Sequence, residues 1–152
     1  MRRVAVVGCG GAGKTYVADA LGARLGLPVV HADDIVYRGG VLQPEPEWQA
    51  ELNASADESA WVIDAMKLSI LPHRLARADT VVFLDLPRRA CYYGIVRRGQ
   101  LRRDVLNRAF LRWIWDFPRR TRPRVLALLE GHGNVVVLRS RRQARRFLVG
   151  LH

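Results

Sequence analysis

The amino-acid sequence predicts a single α/β domain in which helices cover both faces of a five-stranded parallel sheet. The chain has 152 residues, 49% of them hydrophobic, which suits one sizeable core. Five short apolar segments are predicted to be strands, at residues 4–7, 28–31, 61–63, 80–84 and 135–138. Because such segments alternate with helical patterns, we expect residues 1–152 to form one domain with a parallel sheet.

Apolar residues at helical spacing fill the intervals between the predicted strands. The first helix covers residues 15–25, and Gly26 and Pro28 end it. Pro87 opens a later helix, since proline is favoured in a first helical turn. Further helices are predicted at residues 47–58, 69–76, 87–97, 106–115, 124–130 and 142–149, with breaks near Pro118 and Pro123. The segment 39–46 is rich in glycine and proline and is predicted to be a loop.

The strongest functional signal is a glycine-rich segment between the first strand and the first helix. It matches the pattern G-x-x-x-x-G-K-[ST], whose loop amides surround a phosphate chain at a helix N-terminus. Lys14 is expected to reach the β- and γ-phosphates, and Thr15 to supply a hydroxyl to Mg²⁺. The predicted nucleotide-binding residues are therefore Gly8, Gly10, Gly11, Ala12, Gly13, Lys14 and Thr15. A glycine-rich turn without a ligand is the alternative, but it does not require lysine followed by threonine.

Acidic residues follow three of the predicted strands, at the sheet edge where ligands of parallel α/β proteins bind. Asp64 and Asp85 are candidates for holding the water shell of Mg²⁺, and Asp64 is also a candidate substrate contact. Asp33 is a candidate for orienting or deprotonating a substrate hydroxyl. Capping of the following helix is the alternative for each acid, and we favour it for Asp34.

Positive charge is concentrated in the second half of the chain. Residues 1–85 carry a net charge of −3 and residues 86–152 a net charge of +14, which gives the formal total of +11. Nearly all of the basic residues are arginine. This distribution indicates a clamp on nucleotide phosphates, a nucleic-acid surface, or a solvated face, and all three interpretations stay open.

Arginines are also placed where phosphoryl transfer would need them. Residues 97–109 contain a predicted helix break, which we interpret as a short arginine-rich lid over the nucleotide. Within it, Arg97 and Arg98 are the candidates for stabilising the transferring phosphoryl group. Arg74 follows the third strand and is a candidate contact for the acceptor or its phosphate.

Several segments together resemble the bacterial "DNA topology modulation protein" family, which is similar to adenylate kinase and other small P-loop kinases. The segments are residues 8–15, His31 to Asp33, 61–64, 81–87, 110–115 and 135–142. The resemblance implies a three-layer P-loop NTPase fold with strand order 2-3-1-4-5, and ATP and Mg²⁺ as ligands. It also implies an acceptor-side role for Arg74, and a border to the adenine formed by Arg139, Ser140 and Arg141.

The chain departs from that family in two places. Asp64 is followed by Ala65, Met66 and Lys67, where the family usually has Asp-Gly-Asn. The segment between the lid arginines and Phe110 is also shorter than expected. Both departures fall where acceptor binding and closure would occur, so they leave the expectation of ATP binding intact.

We therefore expect an ATP-dependent kinase that phosphorylates a small molecule of the nucleoside or nucleotide type. The alternatives are a nucleic-acid-associated ATP-binding protein and a nucleotide sensor that no longer transfers phosphate. No apolar run reaches the roughly 18 residues of a membrane-spanning helix. The two cysteines, Cys9 and Cys91, are not in metal-ligand spacing, and a reducing cytoplasm is the expected location.

Overall fold

The computed structural model describes residues 1–98 and 108–151, which contain seven strands and eight helices. The strands are β1 (Arg3–Gly8), β2 (Val29–His31), β3 (Tyr37–Arg38), β4 (Val41–Leu42), β5 (Trp61–Asp64), β6 (Thr80–Leu84) and β7 (Val135–Leu138). The helices are α1 (Lys14–Leu25), α2 (Ala32–Val36), α3 (Glu45–Asp57), α4 (Leu71–Arg77), α5 (Arg88–Arg97), α6 (Arg108–Arg120), α7 (Arg122–Leu129) and α8 (Arg141–Val149). All five predicted strands are present, each within one residue of its expected ends.

Five of the strands form one parallel sheet in the order β2-β5-β1-β6-β7. Strands β3 and β4 pair only with each other, so the order counted within the sheet alone is 2-3-1-4-5. The predicted three-layer α/β class is confirmed. Because the strands are parallel, the carboxyl ends of β1, β5 and β6 meet at one edge, beside the turn that leads into α1.

Alternate residues of the central strand β1 supply the two faces of the sheet. Val4 and Val6 pack on one face with buried residues of α1, α5 and α8. Ala5 and Val7 pack on the other face with buried residues of α4 and α7. All four side chains are fully buried, so β1 is held rigidly at the centre of the molecule.

A third apolar cluster, which we call the outer cluster, lies beyond the sheet. It joins α2, α3 and the loop after β5. Its buried members are Ala32, Val36, Trp48, Leu52, Ala65 and Ile70. The outer cluster therefore fixes the loop after β5 to the part of the chain that follows β2.

The prediction of a loop over residues 39–46 is wrong, because this region contains the second strand of a hairpin and the start of α3. Tyr37 pairs with Leu42 and Arg38 with Val41 in an antiparallel hairpin. The turn consists of Gly39 and Gly40, with φ of 63° and 81°. Two adjacent residues with positive φ are the requirement of the tight turn that matches strand twist, so the glycine pair was the signal for a hairpin.

The predicted helix break near Pro118 is also wrong, because α6 continues through Pro118 to Arg120. Ile114 and Phe117 are buried against the sheet, and this packing outweighs the one backbone hydrogen bond that proline removes. Most of the predicted lid, residues 99–107 with Arg102 and Arg103, lies outside the described residues. Within the ranges 1–98 and 108–151, no helix has the length and apolar character needed to cross a membrane.

Replacement of Ile63 by alanine tests the packing of the sheet. Ile63 is fully buried on β5, so Ile63→Ala should lower the free energy of unfolding by about 2–5 kcal/mol, as measured by urea denaturation. Val137 on β7 is 37% exposed, and Val137→Ala is the matched control, with an expected loss below about 1 kcal/mol. Equal losses in the two variants would contradict this assignment of the core.

Candidate active site

The glycine-rich segment forms a tight loop that leads from β1 into α1. Gly11 and Gly13 have φ of 75° and 98°, a region that favours glycine. Gly13 is the N-cap of α1, and no side chain caps this helix. The N–H groups of the first helical turn have no intrahelical acceptors, so they are available to bind an anion at the loop.

Lys14 points its ammonium group at its own loop. Its Nζ donates a hydrogen bond of 3.1 Å to the carbonyl oxygen of Cys9. Thr15 follows in the first turn of α1 and is partly buried. The two residues therefore stand side by side at the helix N-terminus, where the sequence pattern predicts the phosphates.

Helices α5 and α8 hold the loop from outside. A Cβ atom on Gly94 would lie 2.0 Å from the carbonyl oxygen of Gly11, and one on Gly11 would lie 2.1 Å from that of Cys91. The Arg141 guanidinium donates hydrogen bonds to the carbonyl oxygens of Gly11 and Ala90, at 3.2 and 2.9 Å. The conformation of the loop is thus fixed by contacts with distant parts of the chain.

A cavity of about 600 Å³ opens beside the loop, a volume in the usual range for small-molecule sites. Its cationic lining comes from the end of α5 and from α8: Arg97, Arg98, Arg141 and Arg145. Tyr16 and residues 11–13 line the same cavity. The predicted lid arginines Arg97 and Arg98 are exposed and line the same cavity as the glycine-rich loop. We call this loop, residues 8–13, the phosphate loop after the ligand that its sequence pattern predicts.

The predicted adenine-side residues follow β7 and have three different roles in the fold. Arg139 is exposed, and its Nε lies 4.0 Å from Asp85. The Ser140 hydroxyl accepts a hydrogen bond from the N–H of Gln143 and so caps α8. Arg141 binds the glycine-rich loop through the Gly11 carbonyl, and no such bond of Arg139 or Ser140 occurs within residues 1–98 and 108–151.

Asp85, at the end of β6, is engaged in an ion pair. The Arg122 guanidinium donates two hydrogen bonds to it, at 2.7 and 2.9 Å. This bond with Asp85, more than the accompanying charge attraction, raises the pKa of Arg122. A direct role for Asp85 toward Mg²⁺ would compete with this pair, whereas Asp64 keeps one oxygen that accepts no hydrogen bond from the described residues.

Asp64 takes part in a contact that the sequence does not reveal. His31 lies between two carboxylates, with Nδ1 at 2.9 Å from Asp64 and Nε2 at 2.9 Å from Asp19. A neutral imidazole has one donor and one acceptor, and carboxylates only accept, so both contacts require the protonated ring. Burial opposes this charge, but the hydrogen bonds and charges of Asp64 and Asp19 outweigh it and raise the pKa of His31.

Arg74 is buried, whereas Asp33 is exposed to solvent. Arg74 is 3% exposed, and its Nη2 lies 3.5 Å from the carbonyl oxygen of Ala65. Burial lowers the pKa of Arg74 to about 10, although the nearby charge of Asp64 opposes this shift. Asp33 lies in the exposed first turn of α2, and its side chain forms no hydrogen bond or ion pair within the described part of the chain. The structure therefore associates Arg74 with Asp64, and leaves Asp33 open to solvent.

Comparison with known proteins supports the fold class. No protein-family model matches the chain, and no curated protein matches it. A shikimate kinase from Acinetobacter baumannii, solved in complex with shikimate, aligns with a TM-score of 0.68 at 18% identity, over 98% of this chain and 89% of that one. A shikimate kinase from Bacteroides thetaiotaomicron aligns with a TM-score of 0.66 at 17% identity, over 97% and 94%.

A third solved structure extends the comparison beyond shikimate kinases. A gluconokinase from Sinorhizobium meliloti 1021 aligns with a TM-score of 0.59 at 17% identity, over 97% of this chain and 91% of that one. At such identities the similarity concerns the fold alone. This chain therefore has the fold of the small P-loop kinases.

The raised pKa of His31 predicts a pH-dependent contribution to stability. A group whose pKa is higher in the folded state stabilises fully below its unfolded pKa of about 6.5, and this contribution is lost as the pH rises through the folded value. The free energy of unfolding of the wild type relative to His31→Gln should therefore decrease as the pH rises above about 6.5.

Urea denaturation in metal-free buffer measures this difference. His132→Gln is the control for the general cost of replacing a partly buried histidine, since the His132 ring contacts a backbone carbonyl, that of Ala78. A wild-type advantage over His31→Gln that grows with pH would contradict the paired imidazolium.

Proposed function

We propose that this protein is an ATP-dependent kinase that transfers the γ-phosphoryl group of ATP to a hydroxyl of a small molecule. The observation that carries the proposal is the glycine loop, which presents an uncapped helix N-terminus and Lys14 at the carboxyl edge of a parallel sheet. The arginine-lined cavity beside the loop, and the kinase names of proteins with this fold, support it. A nucleoside- or nucleotide-type acceptor is the narrower form of the proposal.

The nucleotide end of the proposed site uses the residues of the loop and its neighbours. The loop amides and Lys14 hold the β- and γ-phosphates, with Lys14 exchanging the Cys9 carbonyl for phosphate oxygens. Arg97 and Arg98, at the end of α5, neutralise charge on the transferring group. Residues 139–141 border the adenine, as the family resemblance implies.

The residues present suit Mg²⁺, which proteins bind through one or two carboxylates together with the phosphates of the substrate. Thr15 supplies a hydroxyl at the start of α1, and Asp64 supplies a carboxylate at the end of the neighbouring strand. Asp85 contributes only if its ion pair with Arg122 opens. When bound, Mg²⁺ neutralises charge on the β- and γ-phosphates.

The acceptor end of the proposed site lies beyond β2 and β5. Asp33 orients the acceptor hydroxyl and takes its proton as the hydroxyl oxygen bonds to the γ-phosphorus. The bond from that phosphorus to the bridging oxygen breaks, and ADP leaves. We place Arg74 at this end as an acceptor contact, and Asp64 between the two ends.

Membership of the DNA topology modulation protein family and a cytoplasmic location are further parts of the proposal. The family rests on the motifs of the sequence, such as residues 8–15 and 110–115. The location rests on the free thiols of Cys9 and Cys91. A single domain over residues 1–152 accords with the two core clusters that share one sheet.

Replacement of Lys14 tests the nucleotide end. Lys14→Ala should raise the dissociation constant of ATP by about 100-fold or more, because it removes a charge that binds the phosphates directly. Isothermal titration calorimetry measures this change. Lys67→Ala removes the other lysine of the chain and should leave ATP affinity unchanged. Unchanged affinity in Lys14→Ala would show that the loop is not the nucleotide site.

A transfer assay tests the kinase reaction itself. Wild-type protein with Mg²⁺ and ATP is given nucleosides, nucleotides, sugars and hydroxy acids, and ADP and phosphorylated product are both measured. At least one acceptor should yield stoichiometric ADP and product, and Asp33→Asn should lower kcat by about 100-fold or more. ATP binding without transfer to any acceptor would favour the nucleotide-sensor alternative.

A further inference from the structure

One face of helix α6 carries three arginines around an exposed tryptophan. Arg108, Arg112, Trp115 and Arg119 follow one another at intervals of four, three and four residues, which places them on one side of a helix. All four are exposed, and Trp115 exposes 55% of its surface. We call these four residues the α6 row. At the rise of an α-helix the row is about 16 Å long.

The α6 row faces away from the fold, because the opposite face of the helix is its packing face. Ile114 and Phe117 are buried on that face. Phe110 and Trp113 pack there too, and a Cβ atom on Gly10 of the phosphate loop would lie 2.6 Å from the Phe110 ring. The packing of α6 therefore does not require the residues of the row. The row also lies on the other side of the helix from the proposed nucleotide site.

The Trp115 ring is in contact with a further arginine. The guanidinium carbon of Arg88, the first residue of α5, lies 4.4 Å from the centre of the ring. The Arg88 Nε is buried and has no hydrogen-bond partner among the described residues. Arg88 and Arg89 also begin α5, where the helix dipole favours anions over cations, and the first turn of this helix contains no acid. Arg88 thus adds a poorly compensated cation to those of the row.

Acidic side chains compensate little of this charge. Asp116 is the only acid in residues 108–120, and its carboxylate lies 3.7 Å from the Arg112 Nε. The Arg112 side chain is nevertheless 81% exposed, so this pair is open to water. Arg108 and Arg119 form no ion pair within residues 1–98 and 108–151. The face therefore presents an aromatic ring among cations that remain available to an external anion.

We propose that the α6 row, together with Arg88, binds single-stranded nucleic acid, with the arginines on successive phosphates and an unpaired base stacked on Trp115. A single strand supplies both partners that this face lacks, since it has phosphates along its backbone and bases whose faces are free. A duplex offers phosphates, but its base faces are already stacked, and an acidic peptide offers charge without bases. Single-stranded DNA and RNA share the required chemistry. This binding is separate from the proposed kinase reaction.

Fluorescence anisotropy of labelled oligonucleotides tests the partner, with full-length protein and no ATP. The probes are oligothymidylate and oligouridylate of about 20 nucleotides, which exceeds the usual site of one binding domain, and a DNA duplex of the same length. At least one single strand should bind at least about tenfold more tightly than the duplex. Its affinity should fall by about 50-fold between about 50 and 200 mM salt, as four phosphate contacts require.

Three results of this experiment would overturn the proposal. The first is the absence of single-strand binding at about 50 mM salt. The second is duplex binding that equals or exceeds that of both single strands. The third is displacement of the bound strand by polyglutamate at an equal concentration of charge, because the site would then recognise acidity alone.

Replacement of Trp115 tests the stacking. Trp115→Ala should weaken binding of the preferred strand by at least about fivefold and leave its salt dependence unchanged, because it removes a ring and no charge. Trp115→Phe keeps an aromatic face and should retain most of the affinity. Tyr37, which is 46% exposed on the β3–β4 hairpin, provides the control, and Tyr37→Ala should bind as the wild type does. Equal losses in Trp115→Ala and Trp115→Phe would contradict stacking and overturn the proposal.

A pair of double variants tests the arginines and does not depend on any buried residue. Arg112→Gln combined with Arg119→Gln should lower the slope of log affinity against log salt by about 1.4, because two phosphate contacts are lost. Arg142→Gln combined with Arg146→Gln removes the same charge from exposed positions of α8 and should leave the slope unchanged. If the two double variants lose affinity equally, binding follows net charge and not the α6 row, and the proposal is overturned.

Discussion

The close approach of the phosphate loop to α5 is the constraint on which the rest of the site depends. The Gly11 carbonyl lies where any side chain on Gly94 would collide with it. Arg141 binds the same carbonyl from α8, so two helices from the second half of the chain hold a loop near its beginning. The same helix α5 carries Arg97 and Arg98, which line the cavity beside the loop. The packing of α5 and α8 and the conformation of the glycine-rich loop therefore depend on each other.

The features that the sequence predicts correctly are those encoded by neighbouring residues. Residues 8–15 specify a glycine-rich turn that leads from β1 into α1, because the glycines that this turn needs are adjacent in sequence, and five apolar segments specify the sheet. The contact of His31 with Asp64 and Asp19 spans 33 and 12 residues, and it arises only when β2 and β5 pair in register. The hairpin was missed although Gly39 and Gly40 indicate it, because glycine and proline nearby favoured an irregular loop. Helix α6 was expected to break at Pro118 because proline removes a backbone donor, but it continues to Arg120 with Phe117 buried beside the proline.

Some of the arginines in residues 86–152 are used for contacts within the protein. Arg122 neutralises Asp85 at the end of β6, and Arg141 binds carbonyl groups of the phosphate loop and α5. These two arginines stabilise the fold, whereas Arg142, Arg145 and Arg146 are exposed on α8. The acids Asp64 and Asp85 at strand ends also have cationic partners within the protein. Asp85 is bound to Arg122, and Asp64 is bound to the protonated His31. Net charge alone therefore overstates the surface that is available to a polyanion.

The outer cluster is a third packing unit beside the two clusters that cover the sheet. Its buried residues, such as Trp48 and Leu52, belong to neither of the clusters that cover the sheet. Its member Trp48 lines a cavity of about 590 Å³ together with Lys67. Gly94 and Arg141, which contact the glycine-rich loop, are not members of this cluster. Substitutions can therefore accumulate in the outer cluster over evolution while the glycine-rich loop and its contacts with α5 and α8 stay unchanged. Such changes at the outer cluster require no repacking of the two clusters that cover the sheet.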